Sequence, residues 1–261
     1  MQSDATTGAA NESDLTRNAA YAWDQFDSEA YFQHYYGDPH TDDDRVIQCA
    51  IAALKHARPA IGADLDIVDI GTGPNLIPFF CTLPWARSLT AWEFSASNVS
   101  WLEAELQRRH LRPQWLHFWA TARRAFGTAF SLPDNPISVL RAKCNITQGS
   151  VFDLPRHRWD AATMFFCAES ITSDRQEFEA ACAAFAGCVK PGGTLAAAFL
   201  VRSDGYEVAG RAFPVLSISA GDIADVFARH AVDMNVEQIG IVEREIRSGY
   251  AGFTFLTGTA R

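Results

Sequence analysis

The chain has 261 residues, of which 48% are hydrophobic, and a formal net charge of −9. This length accommodates one α/β domain with a full core, and no Pro/Gly/Ser-rich linker divides it into two domains. The acidic charge, without a basic cluster beyond two adjacent arginines, argues against nucleic acid and anionic membranes as partners.

The N-terminal residues 1–19 are polar and small, and they lack the apolar core of a signal peptide. We predict a disordered leader here, followed by a single domain over residues 20–261 of a cytoplasmic protein. No apolar run is long enough to span a bilayer. Six cysteines and seven histidines are scattered without metal-ligand spacing, so we expect reduced thiols and no metal site. The expected partner is a small-molecule substrate; the sequence does not determine the oligomeric state, and a monomer is favoured.

The segment over residues 20–42 predicts an N-terminal lid. Its rings either pack on the core or enclose a sulfonium cation, an attraction of about 0.5–2 kcal/mol for each well-placed ring. A helix is predicted to begin near the acidic cap Asp42–Asp44 and to run through Leu54. The aromatic residues of the segment are Tyr21, Trp23, Phe26, Tyr31, Phe32, Tyr35 and Tyr36.

The most informative stretch is Asp66–Asn75, in which a β-branched run ends in an acidic residue and a Gly-x-Gly turn. Such a turn brings backbone N–H groups and a helix N-terminus to a nucleotide-like ligand, because glycine has no Cβ in the way. A pyrophosphate site requires a third glycine at the position of Leu76. Its absence favours a ligand without pyrophosphate, and S-adenosylmethionine is the leading candidate.

A ribose requires a carboxylate at the end of the next strand, about 20 residues further on. The run Leu89–Glu93 supplies it, since Glu93 lies twenty positions after Gly73. A helical pattern over 99–106 follows. We therefore predict that Glu93 accepts hydrogen bonds from the ribose hydroxyls.

Leu76–Phe80 predicts the buried start of the first crossover helix. Residues 112–143 indicate an irregular insertion, for which we expect a hairpin with a short helix. Strands alternating with helices predict an α/β fold with a doubly wound, Rossmann-like, mainly parallel sheet and helices on both faces. The remaining predicted elements are a strand end at 143–147, a buried strand at 160–166, a helix at 174–189, a turn at 191–193, a strand at 194–201, a helix at 220–229 and an edge strand at 250–259.

Five ordered segments resemble motifs of one family. They are the aromatic motif Phe26–Tyr36, the glycine motif Asp69–Pro74, the acidic motif Glu93–Asn98, the strand end Lys143–Gln148 and the segment Phe166–Glu169. Together they make the chain similar to the nicotinamide, phenylethanolamine and indolethylamine N-methyltransferases over nearly its whole length after the leader.

The resemblance implies a site for S-adenosylmethionine. In it, Asn98 would lie beside Glu93 at the ribose, Asn145 near the exocyclic amine of adenine, and Ile146 against the adenine ring. Tyr31 and Tyr36 would close over the site from the lid. The cofactor-binding residues expected in this way are Trp23, Tyr31, Tyr36, Gly71, Thr72, Gly73, Asn75, Glu93, Phe94, Ser95, Asn98, Asn145, Ile146 and Phe166.

The resemblance also implies a substrate-facing carboxylate at Glu169. It would hold an acceptor that is cationic or bears an N–H, and receive its proton as the catalytic residue. A helix cap or a solvated carboxylate is the alternative role. The expected substrate-binding residues are Tyr21, Tyr35, Glu169, Arg202, Tyr206, Phe213 and Tyr250.

Departures from the family motifs bear on the substrate. Asn145 replaces an acid, and Ile77 replaces an aromatic ring. Two carboxylates expected near the amine are absent around 198–202 and 248–250, and Arg202 is added. An aromatic, neutral or acid-bearing acceptor is therefore also compatible with the sequence. Arg202 is either a bidentate partner of a substrate carboxylate or a surface residue.

The sequence thus predicts an S-adenosylmethionine-dependent methyltransferase that acts on a nitrogen of a small amine or heteroaromatic amine. Methylation of carbon or oxygen in a small aromatic such as an indole is the nearest alternative. A non-catalytic nucleoside-binding module is another. A dehydrogenase is disfavoured by the missing third glycine and the aromatic lid.

Overall fold

A computed structural model of the protein describes residues 17–38, 41–57, 64–240 and 247–261. Of the leader predicted over residues 1–19, residues 1–16 lie outside these ranges. Its predicted end is wrong, because Asn18–Ala20 forms a 3-10 turn. The backbone N–H of Asn18 donates to Glu177 Oε2 over 2.8 Å and fixes the turn.

The described residues contain α-helices and β-strands that alternate along much of the chain. Short 3-10 turns connect several of them. The helices are α1 Ser28–Tyr36, α2 Thr41–Ala57, α3 Ile77–Thr82, α4 Ala96–Leu106, α5 Pro113–Phe126, α6 Ile137–Lys143, α7 Arg175–Cys188 and α8 Ala220–Phe227. The strands are β1 Leu65–Ile70, β2 Ala86–Glu93, β3 Cys144–Gln148, β4 Trp159–Phe165, β5 Val189–Leu200, β6 Tyr206–Val208, β7 Arg211–Phe213, β8 Ala231–Ile239 and β9 Phe253–Ala260.

Seven strands form one sheet in the order β3-β2-β1-β4-β5-β9-β8, and β6 pairs with β7 in a separate hairpin. The first five of the seven are parallel, whereas β9 runs antiparallel to β5 and β8. The prediction of a doubly wound, mainly parallel sheet is confirmed. Because β1 lies between β2 and β4, the loops that follow these strands meet at one edge of the sheet.

The core lies on both faces of the sheet. On one face α2, α3 and α5 pack together around Phe80 and Trp115, which are both fully buried. On the other face α7 and α8 pack through Phe185 and Phe227. Helices on both faces explain why β4 is an almost continuous apolar run rather than an alternating one.

The expectation of a hairpin in residues 112–143 is wrong, since this segment forms α5 and α6. Helix α5 begins with a proline at its first position, where no backbone N–H is needed. Trp115, Phe118 and Trp119 lie on one buried stripe of it, at helical spacing. Arg123 and Arg124, which interrupt the apolar pattern, lie on the other side of this helix and are not buried.

Two further predictions need correction. The turn predicted at 191–193 lies inside β5, where the pairing with β4 shifts between Val189 and Thr194. The C-terminal strand β9 is central rather than at the edge, because β8 pairs with its outer side. Strand β8 was not predicted, since its residues are mostly exposed or half-buried and carry no continuous apolar signal.

The aromatic N-terminal segment packs in two directions. Trp23 and Phe26 form a small cluster with Phe213 of the β6–β7 hairpin. Phe32 of α1 packs instead against Trp115 in the main core. The segment is thus tied to both the hairpin and α5, which places its remaining rings over the edge of the sheet.

None of the helices within the described ranges combines the length and the apolar composition that a membrane span requires.

Candidate active site

The glycine turn after β1 adopts a backbone that favours glycine. Gly71 has φ +63° and Gly73 has φ +59°. A Cβ atom added at Gly71 would lie 2.2 Å from Cys167 Sγ and 2.9 Å from Cys167 Cβ. The first glycine therefore allows the turn to pack against the loop after β4, and this packing shapes the site.

Glu93 ends β2 and holds this turn in place. Its carboxylate accepts from the backbone N–H of Gly73 over 2.7 Å, from that of Ser95 over 2.8 Å and from Asn98 Nδ2 over 3.3 Å. Burial raises the pKa of Glu93, and these donors oppose the rise. Asn98 is oriented in turn by Ser28, whose hydroxyl donates to its Oδ1 over 2.7 Å.

A cavity of about 830 Å³, counting space open to solvent, lies over the glycine turn. We name it the glycine-loop cavity. The structure brings twelve of the fourteen residues expected at the cofactor to this cavity, namely Trp23, Tyr31, Tyr36, Gly71, Thr72, Gly73, Asn75, Glu93, Phe94, Ser95, Asn98 and Phe166.

Asn145 and Ile146 are the two that do not line it. Asn145 is exposed and pairs with Thr90, three residues before the end of β2, so it lies away from the loop edge of the sheet. The loop after β3 takes its place, through Gly149, Ser150 and Val151. Glycine is required at position 149, since a Cβ there would lie 2.6 Å from the Trp92 ring.

A second cavity, of about 480 Å³ counting space open to solvent, adjoins the first. We name it the tyrosine cavity. It shares Tyr31, Tyr36, Phe166 and Arg247 with the glycine-loop cavity. Two of its walls, Tyr35 and Tyr250, are among the expected substrate-binding residues. Its lining residues are Tyr31, Tyr35, Tyr36, Asp42, Asp43, Val46, Phe166, Leu200, Arg247, Tyr250 and Phe253.

Phe166 marks the junction of the two cavities and has a strained backbone. Its φ is +57°, an uncommon value for a residue other than glycine. Its N–H donates to the carbonyl of Ala198 over 2.7 Å, which holds this conformation at the end of β4. Such strain of about 1–3 kcal/mol is found more often at functional sites than elsewhere.

The other expected substrate-binding residues are distributed differently. Tyr206 lines the glycine-loop cavity, whereas Tyr21 and Phe213 line neither cavity. Tyr21 packs on Trp23, and Phe213 packs on Trp23 and Tyr206. Both therefore lie behind residues that line the glycine-loop cavity. Arg202 is exposed and lines neither cavity, so it is the surface residue of the two alternatives.

Glu169 is not brought to either cavity. The residue is completely buried on the 3-10 turn after β4. Its Oε1 accepts from the backbone N–H of Leu200 over 3.1 Å and from the Ser170 hydroxyl over 3.3 Å, while its Oε2 has no hydrogen-bond partner. Burial raises its pKa to about 7. A direct contact with substrate is therefore not supported, because the turn directs the side chain inward.

Sequence reasoning missed three charged groups of the tyrosine cavity. Asp42 and Asp43 were assigned only to the start of α2, yet they line the cavity. Arg247 stands before β9 without any motif around it, and only the fold reveals its position. The acidic run at a predicted helix start was the one available signal, because the first turn of that helix follows the lid directly.

These features define a class of protein. The sheet order, the glycine turn after β1 and the buried carboxylate at the end of β2 are the arrangement of a class I methyltransferase that uses S-adenosylmethionine. The site fits this cofactor, because the Glu93 carboxylate lines the cavity at the end of β2 and could accept from the hydroxyls of a ribose, and the turn at Gly71 has no side chain to obstruct a ligand.

Comparison with known proteins gives the family. The sequence matches the model of the NNMT/PNMT/TEMT family over residues 14–256. The chain belongs to this family and is an S-adenosylmethionine-dependent small-molecule methyltransferase, so the predicted family, enzyme class and cofactor are confirmed. None of the curated proteins compared with the chain matches it.

Solved structures agree on the fold. Magnesium protoporphyrin IX methyltransferase (ChlM) of Synechocystis PCC 6803 aligns with a TM-score of 0.58 and 12% identity, over 97% of this chain and 100% of that one. The DhpI–SAH complex aligns with a TM-score of 0.53 and 14% identity, over 95% and 96%. A 1,6-didemethyltoxoflavin-N1-methyltransferase of Burkholderia thailandensis aligns with a TM-score of 0.52 and 13% identity, over 99% and 93%.

The first prediction concerns the ribose carboxylate. Replacing Glu93 with Ala should weaken the binding of S-adenosylhomocysteine by about 1–3 kcal/mol, or about 5- to 150-fold, because the ribose loses a charged acceptor and the glycine turn loses its anchor. Calorimetric titration measures the change. Glu103→Ala, an exposed position on α4, is the control and should bind as the wild type does. Equal affinity of the two variants for S-adenosylhomocysteine would contradict the prediction that Glu93 binds the ribose.

Proposed function

We propose that this enzyme transfers the methyl group of S-adenosylmethionine to a nitrogen of an amine or heteroaromatic amine held in the tyrosine cavity. One observation carries the proposal: an aromatic cavity adjoining the cofactor site contains the two carboxylates Asp42 and Asp43. Carboxylates attract a protonated amine, and aromatic walls suit an apolar body or a cation. The carboxylates come from α2 rather than from the strand ends where the family motifs predicted them.

Bound S-adenosylmethionine supplies an electrophilic methyl group on a sulfonium. The chain contributes position and exclusion of water, which are the main protein contributions to such an in-line displacement. The rings of Tyr31 and Tyr36 line both cavities, so they would contact the bound cofactor as well as the acceptor. Aromatic faces would attract the sulfonium cation and help to exclude water.

The aspartates give the nitrogen its reactive state. A protonated amine has no lone pair, so its proton must move first to a carboxylate such as Asp43 or to water. The lone pair then forms the new N–C bond while the electrons of the C–S bond stay on sulfur. Tyr250 orients Asp42, because its hydroxyl donates to Asp42 Oδ2 over 3.4 Å.

The test is methyl transfer from labelled S-adenosylmethionine to a panel of aromatic amines and pyridines, with the methylated atom identified by mass spectrometry. N-methylated product is the expected result. Product methylated on carbon or oxygen would replace the proposal by the aromatic-metabolite alternative. Micromolar binding of S-adenosylhomocysteine without turnover on any amine, indole or phenol would favour the nucleoside-binding module.

A second prediction separates Asp43 from its neighbour on α2. Asp43→Asn should raise KM for a protonated amine by about 10-fold, since one charged hydrogen bond contributes about 1.5–3 kcal/mol and part of it is kept by Asp42. Steady-state kinetics with a responding amine from the panel measures it. Asp44→Asn is the matched control, because Asp44 pairs with His117 and lines neither cavity. An equal rise of KM in both variants would contradict the role of Asp43.

A further inference from the structure

Arg247 is a buried guanidinium on the boundary of the two cavities. It is 6% exposed and lines both of them. Its Nε donates to the Tyr35 hydroxyl and its Nη1 to the Ser170 hydroxyl, each over 3.1 Å. Its guanidinium carbon lies 4.1 Å from the centre of the Tyr206 ring and 5.3 Å from that of Tyr35. Side chains thus fix the group at the wall of an open space.

The described part of the chain gives the charge of Arg247 no ion pair with an aspartate or glutamate. Its hydrogen-bond and ring partners there are neutral hydroxyls and aromatic faces. The carboxyl of Glu169 interacts with it electrostatically and shares a hydrogen-bonded partner with it, the Ser170 hydroxyl, without a direct hydrogen bond between the two charged groups. That carboxyl is a weak counter-charge near neutral pH, because burial raises its pKa to about 7.

A buried cation of this kind is costly unless an anion compensates it. A guanidinium presents two parallel N–H groups that match a carboxylate in a bidentate pair. In contrast, hydroxyl partners leave the positive charge uncompensated. The environment of Arg247 is therefore that of an anion receptor whose anion arrives with a ligand.

We infer that Arg247 binds a carboxylate of the methyl acceptor, so that the acceptor is an amino acid-like molecule with an aromatic ring, an amine and an acid. The tyrosine cavity offers a complementary set: one guanidinium for the acid, Asp42 and Asp43 for the amine, and tyrosine rings for the body. The inference rests on the proposed function, since it takes the tyrosine cavity as the acceptor site. It also transfers to Arg247 the role that the sequence suggested for Arg202.

The methionine part of the cofactor carries a carboxylate too, and Arg247 also lines the glycine-loop cavity. Its hydrogen bonds go to both sides, because Tyr35 lines the tyrosine cavity alone and Ser170 lines the glycine-loop cavity alone. The acceptor is favoured because the tyrosine cavity also holds the carboxylates and rings that complement an amino acid. The two sources are separated by experiment, as described below.

The test uses acid and amide pairs of equal size, L-tryptophan with L-tryptophanamide and L-phenylalanine with L-phenylalaninamide. Each is titrated calorimetrically into the protein loaded with S-adenosylhomocysteine. We expect the acid to bind at least about 10-fold more tightly than its amide in at least one pair, Arg247→Gln to remove this preference, and Arg247→Lys to keep part of it. Arg229→Gln, at an exposed ion pair on the surface, should keep all of it.

Two results would overturn the inference at the acceptor. The first is that, in every pair, the wild-type protein binds the acid and its amide with equal affinity or binds neither of them. The other is an unchanged preference in Arg247→Gln. Binding needs no turnover, so an Arg247-dependent preference without N-methylated product would leave the inference standing and reject the proposed function.

The cofactor is tested with S-adenosylhomocysteine and 5′-methylthioadenosine, which lacks the amino-acid part. We expect Arg247→Gln to bind both with wild-type affinity, which also shows that the variant is folded. A 10-fold loss for S-adenosylhomocysteine alone would assign the carboxylate to the cofactor and overturn the inference. Loss of both ligands would indicate a structural role for Arg247 and would overturn it as well, unless Arg247→Lys restores both and the acid preference.

Discussion

Replacing Gly71 with Ala should lower the free energy of unfolding by about 2–5 kcal/mol and abolish tight binding of S-adenosylhomocysteine. The left-handed backbone at φ +63° costs about 1–2 kcal/mol for a residue with a Cβ. The new Cβ would also lie 2.9 Å from Cys167 Cβ, which cannot move without its backbone, and such overpacking costs about 1–3 kcal/mol. Urea unfolding measures the stability, and calorimetry measures the affinity.

Gly210→Ala is the matched control for the backbone term. Gly210, at the turn of the β6–β7 hairpin, also has a positive φ, +77°, but a Cβ there would meet no atom within 4 Å. Its cost should therefore be only the backbone term of about 1–2 kcal/mol, with cofactor affinity unchanged. Equal losses of stability in the two variants would show that the contact with Cys167 contributes nothing.

The buried carboxyl of Glu169 should make stability fall as the pH rises. Its pKa is raised from an ordinary 4.5 to about 7 in the folded protein, chiefly by burial. Folding therefore favours the protonated form, and the associated stability is fully present below pH 4.5 and lost as the pH rises through 7. The shift corresponds to about 3 kcal/mol between these limits. Asp69, whose burial also raises its pKa to about 7, adds to the same trend.

Glu169→Gln isolates the contribution of this one carboxyl. The amide stays neutral and can still accept from the Leu200 N–H, so the variant should gain stability relative to the wild type as the pH rises from 4.5 to 8. Urea unfolding across this range measures the difference at each pH. Glu103→Gln, at an exposed position, should show a difference that does not vary with pH. A flat difference for Glu169→Gln would mean that its pKa is ordinary.

Much of the fold could be predicted from the sequence because the signals are local. The apolar run of β4, the heptad-like stripe of α7 and the glycine turn after β1 each depend on residues close together in the chain. Helix α5 was missed because arginines interrupt its apolar residues along the chain. These apolar residues form one continuous stripe only when the segment is helical. Strand β8 was missed because its residues are mostly exposed or half-buried and carry no continuous apolar signal.

Twelve of the residues that line the glycine-loop cavity could also be predicted from the sequence. Glu93 follows the glycine turn at a distance set by one strand, one helix and the next strand, so its position is a matter of spacing. Asn145 was placed at the adenine by motif, yet the pairing of β3 with β2 moves the loop edge to Gly149 and Ser150. Strand register depends on the partner strand, and no single segment encodes it.

By itself, the sequence determined the class of fold, the turn at Gly71 and the carboxylate at Glu93, since short-range spacing and backbone preference are sufficient for these. The tertiary structure alone decided which charges meet the acceptor. The fold buries Glu169 in the core and leaves Arg202 exposed at the surface. It also places Arg247 in hydrogen-bond contact with Tyr35 of the lid, which is 212 positions away in the chain. Contacts between distant segments depend on how whole elements pack, and the residues of either segment carry no signal of the other.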